Sequence, residues 1–195
     1  MKLDLVIAGV GGQGSVLVSR VIAQAALSQG YEVRTSETIG MAQREGSVVS
    51  HIRIGTGLAG ALVPDHKADI LLSFELAETV RGLNKLKPGG LIIANTGKVI
   101  PTSVSLGLSS YHEEPIRASL FQKTERVCLL DANALALQAG SLKTVNVVLL
   151  GVLATLEGLP FSADNLLAAV LELVPAKAVE MNRQAFQIGK EIGVR

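Results

Sequence analysis

Six consecutive residues, Gly9-Val10-Gly11-Gly12-Gln13-Gly14, constrain this chain more than any others. They follow an apolar run, Leu3 to Ala8, that reads as a buried strand over about 3–8. They precede Ser15 to Leu27, which reads as the body of a helix over about 14–29. Arg20, Gln24 and Ser28 form one polar stripe on that helix, so its other faces are buried, and Gly30 caps it. A helix that opens from a glycine turn presents unpaired backbone N–H groups and about half an elementary positive charge at its N-terminus. Such an end receives a phosphate or a carboxylate.

The spacing Gly9, Gly11, Gly14 satisfies the dinucleotide pattern G-x-G-x-x-G, and Glu37 lies 23 residues after Gly14, near where a ribose-binding acid is wanted. Two features oppose an NAD(P)- or flavin-binding Rossmann reading. Glu37 lies beyond the short second strand, Tyr31 to Thr35. The polar stretch Ser36 to Gly46 then runs into another strand, Ser47 to Ile54, rather than into a helix. That strand alternates apolar and polar residues and follows the previous one with no intervening helix, which predicts antiparallel pairing and a mixed sheet. The glycines could also make a tight turn that binds nothing. Gln13 could lend a donor to an anion or lock the turn to its own backbone.

Further buried strands are expected at Ala68 to Phe74, Leu91 to Asn95 and Arg126 to Leu130. Leu86-Lys87-Pro88-Gly89-Gly90 reads as a turn, and Lys98-Val99-Ile100 as a hairpin partner of the strand before it. Short helices are expected over about 75–83 and 115–122, and over 132–139 behind an Asp131 cap. The last third is helical: an almost wholly apolar helix from Asn146 to Leu156, another from Ser162 to Val174, and a final one with Pro175 in its first turn. The sum is an α/β fold, a three-layer α/β/α sandwich with a mixed, mostly parallel sheet, in a single domain over 1–195.

Composition narrows the function. Eighteen basic against 17 acidic residues, two Tyr, four Phe and no Trp give no electrostatic or stacking case for nucleic acid. One cysteine, Cys128, cannot form an internal disulfide or ligate an iron–sulfur cluster, and its apolar surroundings read as core. His51, His66 and His112 lie in unrelated contexts, with no metal-ligand spacing. An acid at Asp4 interrupts any leader-like apolar segment. The longest apolar stretch, Val145 to Ala154, is short of the ~20 residues that span a bilayer. A cytoplasmic location with no membrane contact is the expectation.

Between Glu37 and Arg53 functional groups are dense: Glu37, Gln43, Arg44, Glu45, Ser47, Ser50, His51 and Arg53. Arg44, flanked by Gly46 and Ser47, is the strongest candidate, because guanidinium meets carboxylate or phosphate with a planar fork. His51 and Arg53 share a strand face, and no catalytic role is assigned to either.

The turn Gly9 to Gly14, the segment Glu37 to Gly55, Asn146 to Gly151 and Ala178 to Phe186 together resemble the small subunit of 2-oxoacid:ferredoxin oxidoreductases, in particular the indolepyruvate oxidoreductase beta branch. Related pyruvate and 2-oxoglutarate enzymes carry an equivalent gamma subunit or domain. The resemblance covers nearly the whole chain, and its specific part is Met41 to Gly55. It implies a three-layer α/β/α gamma-type domain in a complex that oxidatively decarboxylates 2-oxo acids to acyl-CoA and passes electrons to ferredoxin. Thiamine diphosphate and [4Fe-4S] clusters would reside on a large partner subunit, with CoA as co-substrate and the isolated chain inactive. Glu45 departs from the pattern, where a glycine or a base is expected, and an acid beside Arg44 makes that segment less cationic. The residues expected to bind the co-substrate are Gly9, Gly11, Gly12, Gln13, Gly14, Ser15, Arg44 and Ser47. A stand-alone nucleotide-binding oxidoreductase and a non-catalytic scaffold are the alternatives. Self-pairing without the partner stays open.

Overall fold

The computed structural model describes residues 1–40, 46–100 and 102–194. Arg44 therefore lies outside the described residues. Leu5, Val6 and Ile7 have no exposed surface, so the first strand is buried on both faces and takes the middle of the sheet. That strand, β1 (Lys2–Val10), is followed by α1 (Ser15–Leu27), β2 (Val33–Ile39), β3 (Ser47–Gly55), β4 (Ala68–Ser73) and α2 (Leu76–Gly82). Then come β5 (Leu86–Asn95), α3 (Thr102–Ser105), α4 (Glu113–Lys123), β6 (Val127–Leu130) and α5 (Ala132–Gln138). A 3-10 turn, Leu142–Thr144, leads into α6 (Val145–Leu153), α7 (Ala163–Leu173) and α8 (Val179–Ile192).

The sheet order is β2-β3-β1-β4-β5-β6. β3 pairs antiparallel with both β2 and β1, as its alternating sequence predicts, while β1, β4, β5 and β6 run parallel. The alternate side chains Leu5, Ile7, Ile52, Leu72 and Ile93 pack under α1, α5, α6, α7 and α8. Val6, Ala8, Leu71 and Ile92 pack under α2 and α4. The sheet is thus the middle of three layers, and each buried Leu or Ile contributes about 1.5–3 kcal/mol. Among the described residues no single helix is long and apolar enough to cross a membrane.

Four local expectations fail. The second strand runs Val33–Ile39 rather than Tyr31 to Thr35, and Glu37 lies within it, because the ladder with β3 continues to Ile39↔Val48. Lys98 to Ile100 forms no strand, because the Val99 N–H is taken by the Glu75 carboxylate that caps α2. Leu86 to Gly90 is not a free turn: it begins β5, with a register shift against β4 and Gly89 at φ 69°. Pro175 precedes a separate 3-10 turn, and α8 starts only at Val179.

α6 and α8 cross at two glycines. A Cβ on Gly151 would lie 2.2 Å from the Phe186 carbonyl, and one on Gly189 2.1 Å from the Val148 carbonyl. This close approach fixes α6, and with it the α6 N-terminus, against the sheet.

Candidate functional site

From β1 the chain crosses through α1 to one side of the sheet, and from β4 it proceeds to the other. The carboxyl ends of β1 and β4 therefore flank the point where the winding reverses, the place where open α/β sheets hold ligands. A pocket of about 330 Å³ lies there, of a size for a small-molecule moiety. Gly12, Gln13 and Gly14 form one wall. Phe74 follows β4, Asn95 ends β5, and Asn133, Lys143 and Asn146 come from the α5 and α6 region.

The turn is closed twice. Gln13 donates its N–H to the Val10 carbonyl at 3.3 Å, and its Oε1 accepts the Val10 N–H at 2.9 Å. Both uses proposed for this amide are thereby available. Its oxygen locks the turn, and its Nε2 has no partner among the described residues. Gly9 leaves room for the lock, since a Cβ there would sit 2.7 Å from Gln13 Oε1. Gly12 (φ 90°) has nothing within 4 Å of the Cβ position, so it is the open lip of the turn. At Gly14 (φ 84°) a Cβ would lie 2.8 Å from Asn146 Nδ2, so only glycine lets α6 approach α1 this closely.

Helix capping distinguishes α1 from most of the other helices. α2, α5 and α7 are capped by the Glu75, Asp131 and Ser162 side chains. α4 and α8 carry acids in their first turns. α1 and α6 have neither a side-chain cap nor a first-turn acid, and both open on the pocket. The positive end of α1 is therefore left without an internal partner, whereas α6 continues from the Ser141-capped 3-10 turn, with its Val145 N–H on the Leu142 carbonyl and its Val147 N–H on Asn146 Oδ1. Around these helix starts Gln13 Nε2, Asn133 Nδ2, Asn146 Nδ2 and Lys143 Nζ have no partner among the described residues. Asn146 is only 5% exposed. Among the described residues no carboxylate lines the pocket. Asn95 is the brace beneath: it donates to the Phe74 carbonyl and to Asn133 Oδ1 (both 3.1 Å) and accepts the Ala132 N–H at 3.0 Å. The side-chain nitrogens left without a partner among the described residues are all donors, a set that suits an anion.

Of the residues singled out in the sequence, Gly12, Gln13 and Gly14 line the pocket, and Gly9 supports it. Gly11 donates its N–H to the Gly46 carbonyl at 2.9 Å, tying the turn to the start of β3. Ser15 is buried in the first turn of α1, behind the lining. Ser47 is turned elsewhere: its hydroxyl donates to Glu78 Oε2 at 2.6 Å, and Glu78 also pairs with Arg81. His51 and Arg53 hold structure. Arg53 grips Asp4 at 2.8 and 3.4 Å and donates to the Gly60 and Leu62 carbonyls. His51 Nδ1 accepts the Val63 N–H at 3.3 Å, and burial, with Lys85 adding to it, pushes the imidazole below its ordinary pKa. Asn95, Asn133, Lys143 and Phe74 were not anticipated. Asn146 stood in the sequence as an isolated amide opening an apolar helix, the one signal that could have marked it.

Glu37 lies far from the turn for a ribose-binding acid. β3 stands between β1 and β2, so Glu37 is two strands away, about 10 Å across the sheet. That intervening strand is the structural reason the dinucleotide pattern does not extend past the glycines.

The family model described as pyruvate ferredoxin/flavodoxin oxidoreductase matches residues 4–192. The chain is 43% identical over 190 residues to the indolepyruvate oxidoreductase subunit IorB of Pyrococcus horikoshii, covering 96% of this chain and 94% of that protein. Its fold superposes with a TM-score of 0.72 on the keto/oxoacid ferredoxin oxidoreductase gamma subunit of Geobacter sulfurreducens, at 25% identity and 97% coverage of both chains. It also matches 2-oxoglutarate:ferredoxin oxidoreductase from Magnetococcus marinus, solved with 2-oxoglutarate, coenzyme A and succinyl-CoA bound. There the TM-score is 0.72 at 21% identity, over 98% of this chain and 31% of that one.

Proposed function

The chain belongs to the pyruvate ferredoxin/flavodoxin oxidoreductase family as a subunit of a 2-oxoacid:ferredoxin oxidoreductase, and from that premise we propose that it serves an indolepyruvate-oxidising complex by holding the phosphates of CoA. The observation that carries the second half is the uncapped α1 N-terminus facing the Asn146 side-chain amide across one pocket, with Lys143 at its mouth. Phosphate is the anion that uses several converging N–H donors at once. The likeness to an enzyme solved with coenzyme A supports the choice of ligand, and the IorB likeness supports the choice of oxo acid.

The pocket binds but does not react. Among the described residues it offers amides, backbone N–H groups and one ammonium, with no thiolate, carboxylate or imidazole. One cysteine in 195 residues is fewer than the four thiolates a cluster takes. Thiamine diphosphate and the iron–sulfur clusters then belong on a large partner subunit, which also chooses the 2-oxo acid, and Gly12 to Gly14 face that subunit's reaction centre.

Co-expression with such a subunit tests this reading. The complex should reduce ferredoxin with indolepyruvate only when CoA is present, and each subunit alone should be inactive. Turnover by the large subunit alone with unchanged CoA dependence would overturn it. So would NAD or flavin bound stoichiometrically to the purified complex through this chain, the mark of a stand-alone nucleotide enzyme.

A further inference from the structure

The two edges of the sheet are finished differently. β6 is four residues long, and its Cys128 thiol lies 3.7 Å from the Gly193 carbonyl, so the end of the chain runs beside it. β2 is seven residues long and pairs with β3 from Val33↔Ile54 to Ile39↔Val48 with no register shift. It contains no proline and no bulge, two usual means of keeping an exposed edge from pairing, and its charged residues are Arg34 and Glu37. Ile39 on it is 67% exposed.

The hydrogen-bond phase of β2 follows from its ends. Gly55 donates to the Glu32 carbonyl at 2.9 Å, and Gly40 donates to the Ser47 carbonyl at 2.7 Å. Antiparallel pairs alternate between bonded and non-bonded. Arg34, Ser36 and Thr38 therefore turn their backbone groups toward β3, and Val33, Thr35, Glu37 and Ile39 turn theirs outward. Those outward groups have no partner among the described residues.

A two-fold axis perpendicular to the sheet keeps each face on its own side, so only residues of like parity can meet. Centring the axis on Ser36 aligns the full strand with itself. Val33 then faces Ile39 of the second copy, Thr35 faces Glu37, Arg34 faces Thr38, and Ser36 faces Ser36. The apolar ends cover each other, the Thr35 hydroxyl meets a carboxylate acceptor, and no like charges are opposed. Sliding the axis to Glu37 sets two carboxylates against each other. Sliding it to Thr35 sets Val33 against Glu37.

The geometry points to a second copy of this chain as the occupant of the β2 edge, with two β2 strands pairing antiparallel about Ser36 into one sheet continuous across both copies. The strands run oppositely, so the two pockets open at opposite ends of the joined sheet and stay accessible.

Proline placed at an outward position removes only an N–H that the single chain does not use. Light scattering of the full chain should give twice its 20.4 kDa mass, falling to one mass in Thr35→Pro and Glu37→Pro with an unchanged circular dichroism spectrum. Ser36→Cys should crosslink between copies on mild oxidation, because a non-bonded antiparallel pair brings the Cα atoms to about 4.5 Å. Arg34→Cys should not, and this pair of variants decides the matter even where a proline variant fails to fold. A monomeric wild type, a dimer indifferent to both prolines, or crosslinking at position 34 in place of 36 would overturn the inference. A monomer whose Thr35→Pro variant no longer joins the large subunit would overturn it too, and would assign the edge to that subunit.

Discussion

Replacing Gly12 separates the charge of the pocket from its shape. Gly12 sits at φ 90° with open space where a side chain would begin, so asparagine and aspartate meet the same backbone strain, about 1–2 kcal/mol, and the same room. They differ in one formal charge at the lip of the α1 N-terminus. A carboxylate brought to about 4 Å from a bound phosphate opposes it by about 1 kcal/mol in bulk water and about 4 kcal/mol in a half-desolvated site. It also occupies the donors that the phosphate needs. Gly12→Asp should therefore weaken CoA binding to the assembled complex by about fivefold to several hundredfold relative to Gly12→Asn, at 1.4 kcal/mol per decade. Isothermal titration of both variants in the same low-salt buffer reads the difference, which should shrink as salt is added. Equal affinities in the two variants would refute the placement of phosphate at this turn.

Other consequences concern the frame that carries the pocket. Gly151→Ala drives a methyl into the Phe186 carbonyl of α8, so overpacking should cost about 3 kcal/mol or more and lower the melting temperature by roughly 6–12 °C in a calorimetric scan. A loss under 2 °C would show that the helix crossing is loose. Asp4→Asn strands the Arg53 guanidinium, which is 6% exposed, and should destabilise by about 3–5 kcal/mol in urea titration. Pairing Asp4→Leu with Arg53→Met should recover much of that loss. His51 is held neutral, with its folded pKa below the ordinary 6.5 of the unfolded chain. The unfolded state therefore binds the extra proton first. The stabilisation is complete above pH 6.5 and is lost as pH falls toward the folded value. His51→Asn keeps an acceptor for the Val63 N–H and should flatten that acid limb in a pH series of melts.

What was legible in the sequence is what is local in the chain. The strand, glycine turn and helix at the N-terminus need only neighbouring residues, and so does the Asp131 cap. The antiparallel β2–β3 pair followed from the want of a helix between them. Lys98 to Ile100 was misread because its backbone is claimed by Glu75, a residue on another element, which no local pattern announces. The site divides in the same way. Gly12 to Gly14 could be named from spacing, whereas Asn95, Asn133 and Lys143 converge only once β5 and β6 lie beside β1 and β4. An asparagine after a strand is unremarkable until topology puts the starts of α1 and α6 around one pocket. Ser47 shows the converse: a plausible anion ligand by its sequence neighbours, it is drawn to Glu78 on α2.

The central claim is that this subunit grips the phosphates of CoA and leaves the chemistry to its partner. Lys143→Gln in the assembled complex, titrated with CoA and with phosphate-free pantetheine, tests it most directly. Lys143 is exposed, so screening limits its contribution to about 1 kcal/mol. CoA affinity should fall about fivefold, with no change for pantetheine. An equal loss for both ligands, or none for CoA, would contradict the claim.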